Sequence, residues 1–196
     1  MPYAFARHIK TLTYFIQRFD RQGRTKAPVE DFAQISGASR ETKYDSSMEK
    51  VASLLDRFCT FPVIERVKLF TRVLFNFIVG NEDMHLKNYA LITRERRVEL
   101  APAFDFLNTC IAVKNPKEEI ALPLRGKRSG LGRKDIVDYF GRERLEINDR
   151  VLSETLANFQ QVIPSWPALI QCSFLTVPMQ EKYKALVVER TSRLGL

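Results

Sequence analysis

The chain has 196 residues, 31 Lys and Arg against 23 Asp and Glu, a formal net charge of +8 and 45% apolar residues. That apolar content excludes intrinsic disorder and collagen-like or low-complexity chains, and the length suits one domain or one large lobe of a bigger architecture. No run reaches the roughly 18 uninterrupted apolar residues of a membrane span, so no membrane association is expected. The basic balance suits acidic partners such as nucleic acid or phosphates, and equally a plain solvated surface.

Taken in chain order, Thr11 to Phe19 is β-branched and aromatic and reads as a strand. Asp20 to Lys26 is a charged turn with Gly23. Pro28 predicts the first turn of a helix through Ile35 that Gly37 ends. Ser46 or Ser47 caps a second helix with Met48, Val51, Leu54, Leu55 and Phe58 on its apolar stripe. Pro62 to Val79 is the strongest helix: Val63, Val67, Phe70, Leu74 and Phe77 recur at spacings of three and four, and further apolar residues around the cylinder predict a buried central element that stops at Gly80.

Tyr89 to Thr93 and Val98 to Leu100 read as a small hairpin. Arg125 to Lys134 (RGKRSGLGRK) reads as a mobile basic loop, either solvated or touching a phosphate or nucleic acid. Helices follow over about Lys134 to Phe140, after Asn148, around Trp166 to Ile170 and from about Pro178 to Leu194. Cys59, Cys110 and Cys172 are odd in number, widely spaced and set among apolar neighbours, so they read as buried or half-buried thiols in a reducing cytoplasm. The N-terminus has no secretory signal pattern, and a cytoplasmic location is expected.

Polar residues crowd directly after the most apolar helix, in Gly80-Asn81-Glu82-Asp83-Met84-His85-Leu86-Lys87-Asn88. Asp83 is followed five residues on by Asn88, and Asp105-Phe106 comes after the hairpin. Phosphoryl transfer in kinases uses this spacing. A carboxylate must orient the acceptor hydroxyl and take its proton, a role for Asp83. Mg²⁺ takes few protein oxygens and keeps waters and phosphates as its other ligands, which suits Asn88 and Asp105. His85 can donate to Asp83 or to a phosphate, and Lys87 can bring charge to the γ-phosphate or point into solvent. The competing reading of the segment is a polar loop that ends a helix.

GNEDMHLKN followed by LAPAFDFLNT resembles the HipA-type serine/threonine kinase toxins of bacterial toxin–antitoxin modules, as do YFIQRFDR and VEDFAQISG…KY. The resemblance runs from about Tyr14 to Arg190. It implies a mainly α fold: an all-helical kinase C-terminal lobe with a short N-terminal hinge strand and a small β-hairpin at the active site. It also implies ATP- and Mg²⁺-dependent phosphorylation of a serine or threonine in a cytosolic protein, a component of translation. Asp83 then matches the catalytic aspartate, and Asn88 and Asp105 the Mg²⁺ ligands. The backbone of Gln17 and Phe19 matches the hinge contacts to adenine, with Asp20 next to the ribose. A HipB-type antitoxin is the implied partner, with operator DNA reached through it. Phosphoinositide-type kinases share the D-x-H-x-x-N arrangement, so the motif leaves protein and lipid substrates open.

The hinge-like strand begins about a dozen residues after Met1, no glycine precedes Gly23, and Lys10 is the sole upstream lysine. Residues 1–196 are therefore expected to form the C-terminal lobe without the nucleotide-gripping N-terminal lobe. A gene remnant, one part of a split kinase with a separate N-lobe chain, and an inactive module that binds an antitoxin or its DNA complex all fit that expectation.

Overall fold

A computed structural model describes residues 3–8, 11–113 and 118–196. Strands β1 (Tyr3–His8) and β2 (Thr11–Ile16) form an antiparallel hairpin with Tyr3 opposite Ile16. The lone hinge strand expected at Thr11–Phe19 is thus half of a pair, and it ends at Ile16, before Gln17 and Phe19. The charged turn is itself a tiny hairpin, β3 (Arg21–Gln22) with β4 (Thr25–Lys26), turned at Gly23, whose φ is 59°.

The helix expected from Pro28 starts four residues later. Val29–Asp31 is instead a strand, β5, that pairs with β6 (Ala90–Arg94), and β6 pairs with β7 (Arg97–Leu100) in a three-stranded antiparallel sheet. Asp31 then caps α1 (Phe32–Ser36): its carboxylate accepts from Gln34 N–H, and the Gln34 side chain accepts from Asp31 N–H. The pair satisfies two of the open donors of the first turn. Gly37 ends α1 in the left-handed conformation, as expected. The tip of the β6–β7 hairpin is Glu95-Arg96, both at positive φ, a conformation usually given to Asn-Gly.

Ser47 caps α2 (Met48–Phe58), and Pro62 opens α3 (Pro62–Val79). From Leu69 onward α3 is sealed: Leu69, Phe70, Leu74, Phe77 and Ile78 are wholly buried, whereas Val63 and Ile64 near its start lie open. α3 packs against α2, the helix Val177–Leu194 and the helix Lys134–Arg144. That last helix is wound with wide i→i+5 turns, and Gly141 lets it close on α3, because a Cβ there would sit 2.8 Å from Phe70 and Leu152. Asn148 caps the helix Asp149–Val162. Trp166 packs edge-on against Phe75 and Phe159.

The basic segment Arg125–Lys134 is tied down rather than loose. Leu124 bridges Lys127, Leu131 is fully buried, Lys127 pairs with Asp135 at 2.9 Å and Arg133 donates to Leu194 O. Cys59 is buried and Cys110 half-buried, but Cys172 is exposed at the end of a short helix. Among the described residues no helix is long and apolar enough to cross a membrane.

Candidate functional site

The site is built on the sealed end of α3. Gly80 ends the helix at φ 71°, its N–H donating to Phe77 O, while Asn81 N–H donates to Asn76 O. These two bonds close the helix terminus and turn the chain sharply. A Cβ on Gly80 would lie 2.4 Å from Leu186 Cδ2 and 3.1 Å from Asn108 Oδ1, so the turn is also pressed against the final helix.

Asn81 is buried and acts as a hub. Its amide donates to Asn76 Oδ1 and to Asp105 O, both at 3.0 Å, and its Oδ1 accepts from Asp83 N–H. It therefore joins the two halves of the motif, the loop carrying Asp83 and the segment carrying Asp105. Asp105 has a φ of 60° and an exposed side chain, a sparsely populated conformation held by the Asn81 bond. Asn88 is buried, and its Nδ2 donates to Asp83 O at 2.8 Å, which leaves its amide oxygen for another partner. Asp83, Asn88 and Asp105 are thus linked through backbone and side-chain bonds.

His85 and Lys87 take different places. His85 Nε2 lies 2.7 Å from Lys43 Nζ, and an ammonium is only a donor, so Nε2 accepts. Burial, and then the Lys43 charge, push the imidazole below its usual range, and Nδ1 is buried with no bond. Of the two partners open to the His85 side chain, Asp83 or a phosphate, the first is not taken; His85 N–H donates to Asp83 O. Lys87 is exposed. Two residues that the motif does not contain enter here: Lys43, and Tyr44, whose hydroxyl donates to Asp83 Oδ1 at 2.6 Å. Burial first, and then the bond to Asp83, push the Tyr44 phenol up to about 12. Behind the loop, burial raises the Glu82 carboxyl, which accepts from Cys110 Sγ.

The hinge residues occupy the neighbouring face. Phe19 stacks on Phe104 with ring centroids 5.7 Å apart, beside Asp105, and its carbonyl accepts from Arg94. Gln17 is exposed. Asp20 is gripped by Arg18 through both oxygens, at 2.8 and 2.7 Å, which holds its carboxyl below the usual range. A cleft of about 760 Å³ lies between Tyr14 and Ile16 of β2 and the run Phe104 to Leu107, with Asp105 on its wall. Among the described residues no cluster of three or more His, Cys, Asp or Glu side chains could hold a metal.

The chain is similar to several known proteins. The chain is 28% identical over 170 residues to the Sinorhizobium fredii protein Y4dM and 32% over 129 residues to Y4mE of the same organism, both named provisionally as kinases. A Haemophilus influenzae protein with the same provisional name is 24% identical over 187 residues. The matches cover 85%, 61% and 84% of this chain but 40%, 30% and 52% of those proteins, so the chain spans about half or less of the relatives' length. The fold matches a chain of the Shewanella oneidensis HipA, HipB and operator DNA complex with a TM-score of 0.81 at 19% identity, covering 98% of this chain and 51% of that one. It matches the Helicobacter pylori proinflammatory kinase CtkA with a TM-score of 0.66 at 13% identity, covering 98% and 73%. The family model of the HipA-like C-terminal domain matches residues 1–166, and the chain belongs to that family.

Proposed function

We propose that this chain is the catalytic lobe of an ATP- and Mg²⁺-dependent serine/threonine kinase, acting in the cytoplasm as the toxin of a type II toxin–antitoxin module. The observation that carries the reading is the bonding of Asp83, Asn88 and Asp105 into one unit through Asn81 and the Asp83 carbonyl. The donor set fits Mg²⁺: a free amide oxygen on Asn88 and an exposed carboxylate on Asp105 are two hard oxygens, the number such sites draw from protein. When bound, Mg²⁺ would neutralise phosphate charge during transfer. Asp83 orients the acceptor hydroxyl and takes its proton as the oxygen attacks the γ-phosphorus, the bond from that phosphorus to the β–γ bridging oxygen breaks, and ADP leaves with the bond's electron pair. The apolar cleft beside Asp105, walled by Tyr14, Ile16 and Phe104, suits a flat nucleobase.

The relatives extend well beyond this chain, so the rest of the nucleotide cradle is assigned to a further segment or a separate N-lobe chain. A HipB-type antitoxin is the expected partner, which the likeness to the Shewanella oneidensis chain supports, with operator DNA reached through it. The substrate expected from the family resemblance is a protein component of translation. A second reading, an inactive lobe that binds an antitoxin, draws on one observation: the Phe19 carbonyl and the Asp20 carboxylate are already engaged by Arg94 and Arg18. Calorimetric titration with Mg·ATP separates the two. The kinase reading expects binding that loses its Mg²⁺ dependence in Asp105→Asn. Absence of binding, together with tight binding of an antitoxin, supports the second.

A further inference from the structure

The loop between α1 and α2 meets the catalytic loop from the other side. Lys43 O accepts from Leu86 N–H at 3.2 Å, and Arg128 donates to Tyr44 O, so the loop is pinned at both residues. Lys43 Nζ is held against His85 Nε2 at 2.7 Å and lies 4.8 Å from the Tyr44 ring centroid. These contacts are to a neutral imidazole and an aromatic ring. Among the described residues no carboxylate pairs with Lys43. A half-buried ammonium without a counter-ion is unfavourable unless an anion arrives to complement it. It has three donors, and the imidazole uses one.

Tyr44, the next residue, ties up Oδ1 of Asp83 and leaves Oδ2 for an incoming hydroxyl. One short loop thus sets an unpaired cation beside the residue that would accept the proton. Lys87, the cation suggested by the motif, is exposed and makes no such contact.

We propose that Lys43 is the phosphate-binding cation of the transfer site, with the phosphoryl group as its ligand and Tyr44 as the positioning residue that fixes Asp83. The proposal rests on the kinase reading only for the origin of that group. His85 is a ready reporter, because His8 is the chain's one other histidine. The test follows the His85 ring signals by NMR while inorganic phosphate is added to the full chain at fixed pH and ionic strength, with chloride as control. A saturable shift is expected, its dissociation constant raised at least tenfold in Lys43→Met and Lys43→Gln and kept within about threefold in Lys43→Arg. No saturable shift in the parent chain, or a shift that both neutral variants retain, overturns the proposal. The titration contains neither nucleotide nor metal, so Lys43 and the kinase reading fail separately: a parent chain that transfers phosphate but shows no saturable phosphate shift removes Lys43 alone.

Discussion

Two neighbouring regions flank the proposed transfer centre, and they are held by different forces. From Gly80 to Tyr89 the chain is fixed by buried bonds: Asn81 to Asn76 and Asp105, Asn88 to Asp83, and Tyr44 to Asp83. From Gln17 to Lys26 it is held by the exposed guanidiniums of Arg18 and Arg21 on the buried Asp20 carboxylate, and by Arg94 on the Phe19 carbonyl. Bonds between buried partners are costly to lose, whereas a guanidinium that reaches water is more readily replaced by it. The loop from Gly80 to Tyr89 is therefore held by partners within the fold, and the segment from Gln17 to Lys26 by guanidiniums that reach solvent.

Substitutions on the two sides should differ accordingly. Asp105→Asn should have the largest effect, lowering Mg²⁺-dependent phosphoryl transfer by about a thousandfold or more, on the order of 4 kcal/mol of barrier. A transfer assay with γ-labelled ATP checks it. Gly80→Ala should destabilise the fold by about 3 kcal/mol, from the left-handed backbone and the close approach of Leu186, read as a lower urea midpoint. A near-parental midpoint would mean that the turn is not the rigid anchor described here.

The next effect lies behind the loop. Burial alone would raise the Glu119 carboxyl, but the bonds from Arg193 and Leu131 N–H and the charge of Arg190 more than reverse this and leave it below its ordinary 4.5. A depressed carboxyl stabilises the fold above its unfolded value and loses that contribution as pH falls through its folded value. Glu119→Gln should therefore cost about 2 kcal/mol at pH 7, and the gap to the parent should close below about pH 4.5. The smallest effect belongs to the segment around Asp20: Arg18→Met should lower the melting temperature least of the four, because Arg21 remains beside the buried carboxylate, while the Asp20 carboxyl, followed by NMR, rises toward its ordinary range. A marked loss of stability there would erase the contrast between the two regions.

What could be read in advance divides along physical lines. Asp83, Asn88, Asp105 and Gly80 were legible because their message is local: a helix stop, a polar loop and a short hairpin fix their spacing within about 25 residues. The start of α1 was misplaced because Pro28 outweighed the capping box Asp31-x-x-Gln34, and because pairing of Val29–Asp31 with β6 is a contact across about 60 residues. Lys43 and Tyr44 carry no motif of their own. Their meeting with His85 and Asp83, 42 and 39 residues away, arises only when α1 and α2 pack against the loop. The segment Arg125–Lys134 looked loose because glycines and charges mark loops, yet its buried Leu131 and its partners Asp135 and Leu194 lie in later helices.

The most direct test is phosphoryl transfer from γ-labelled Mg·ATP to cell-extract protein, comparing the chain, together with any co-purifying N-lobe partner, with its Asp83→Asn variant. The account predicts label on serine or threonine that falls about a thousandfold in the variant while Mg·ATP binding persists. Equal incorporation by both, or none by the parent despite Mg·ATP binding, would contradict it.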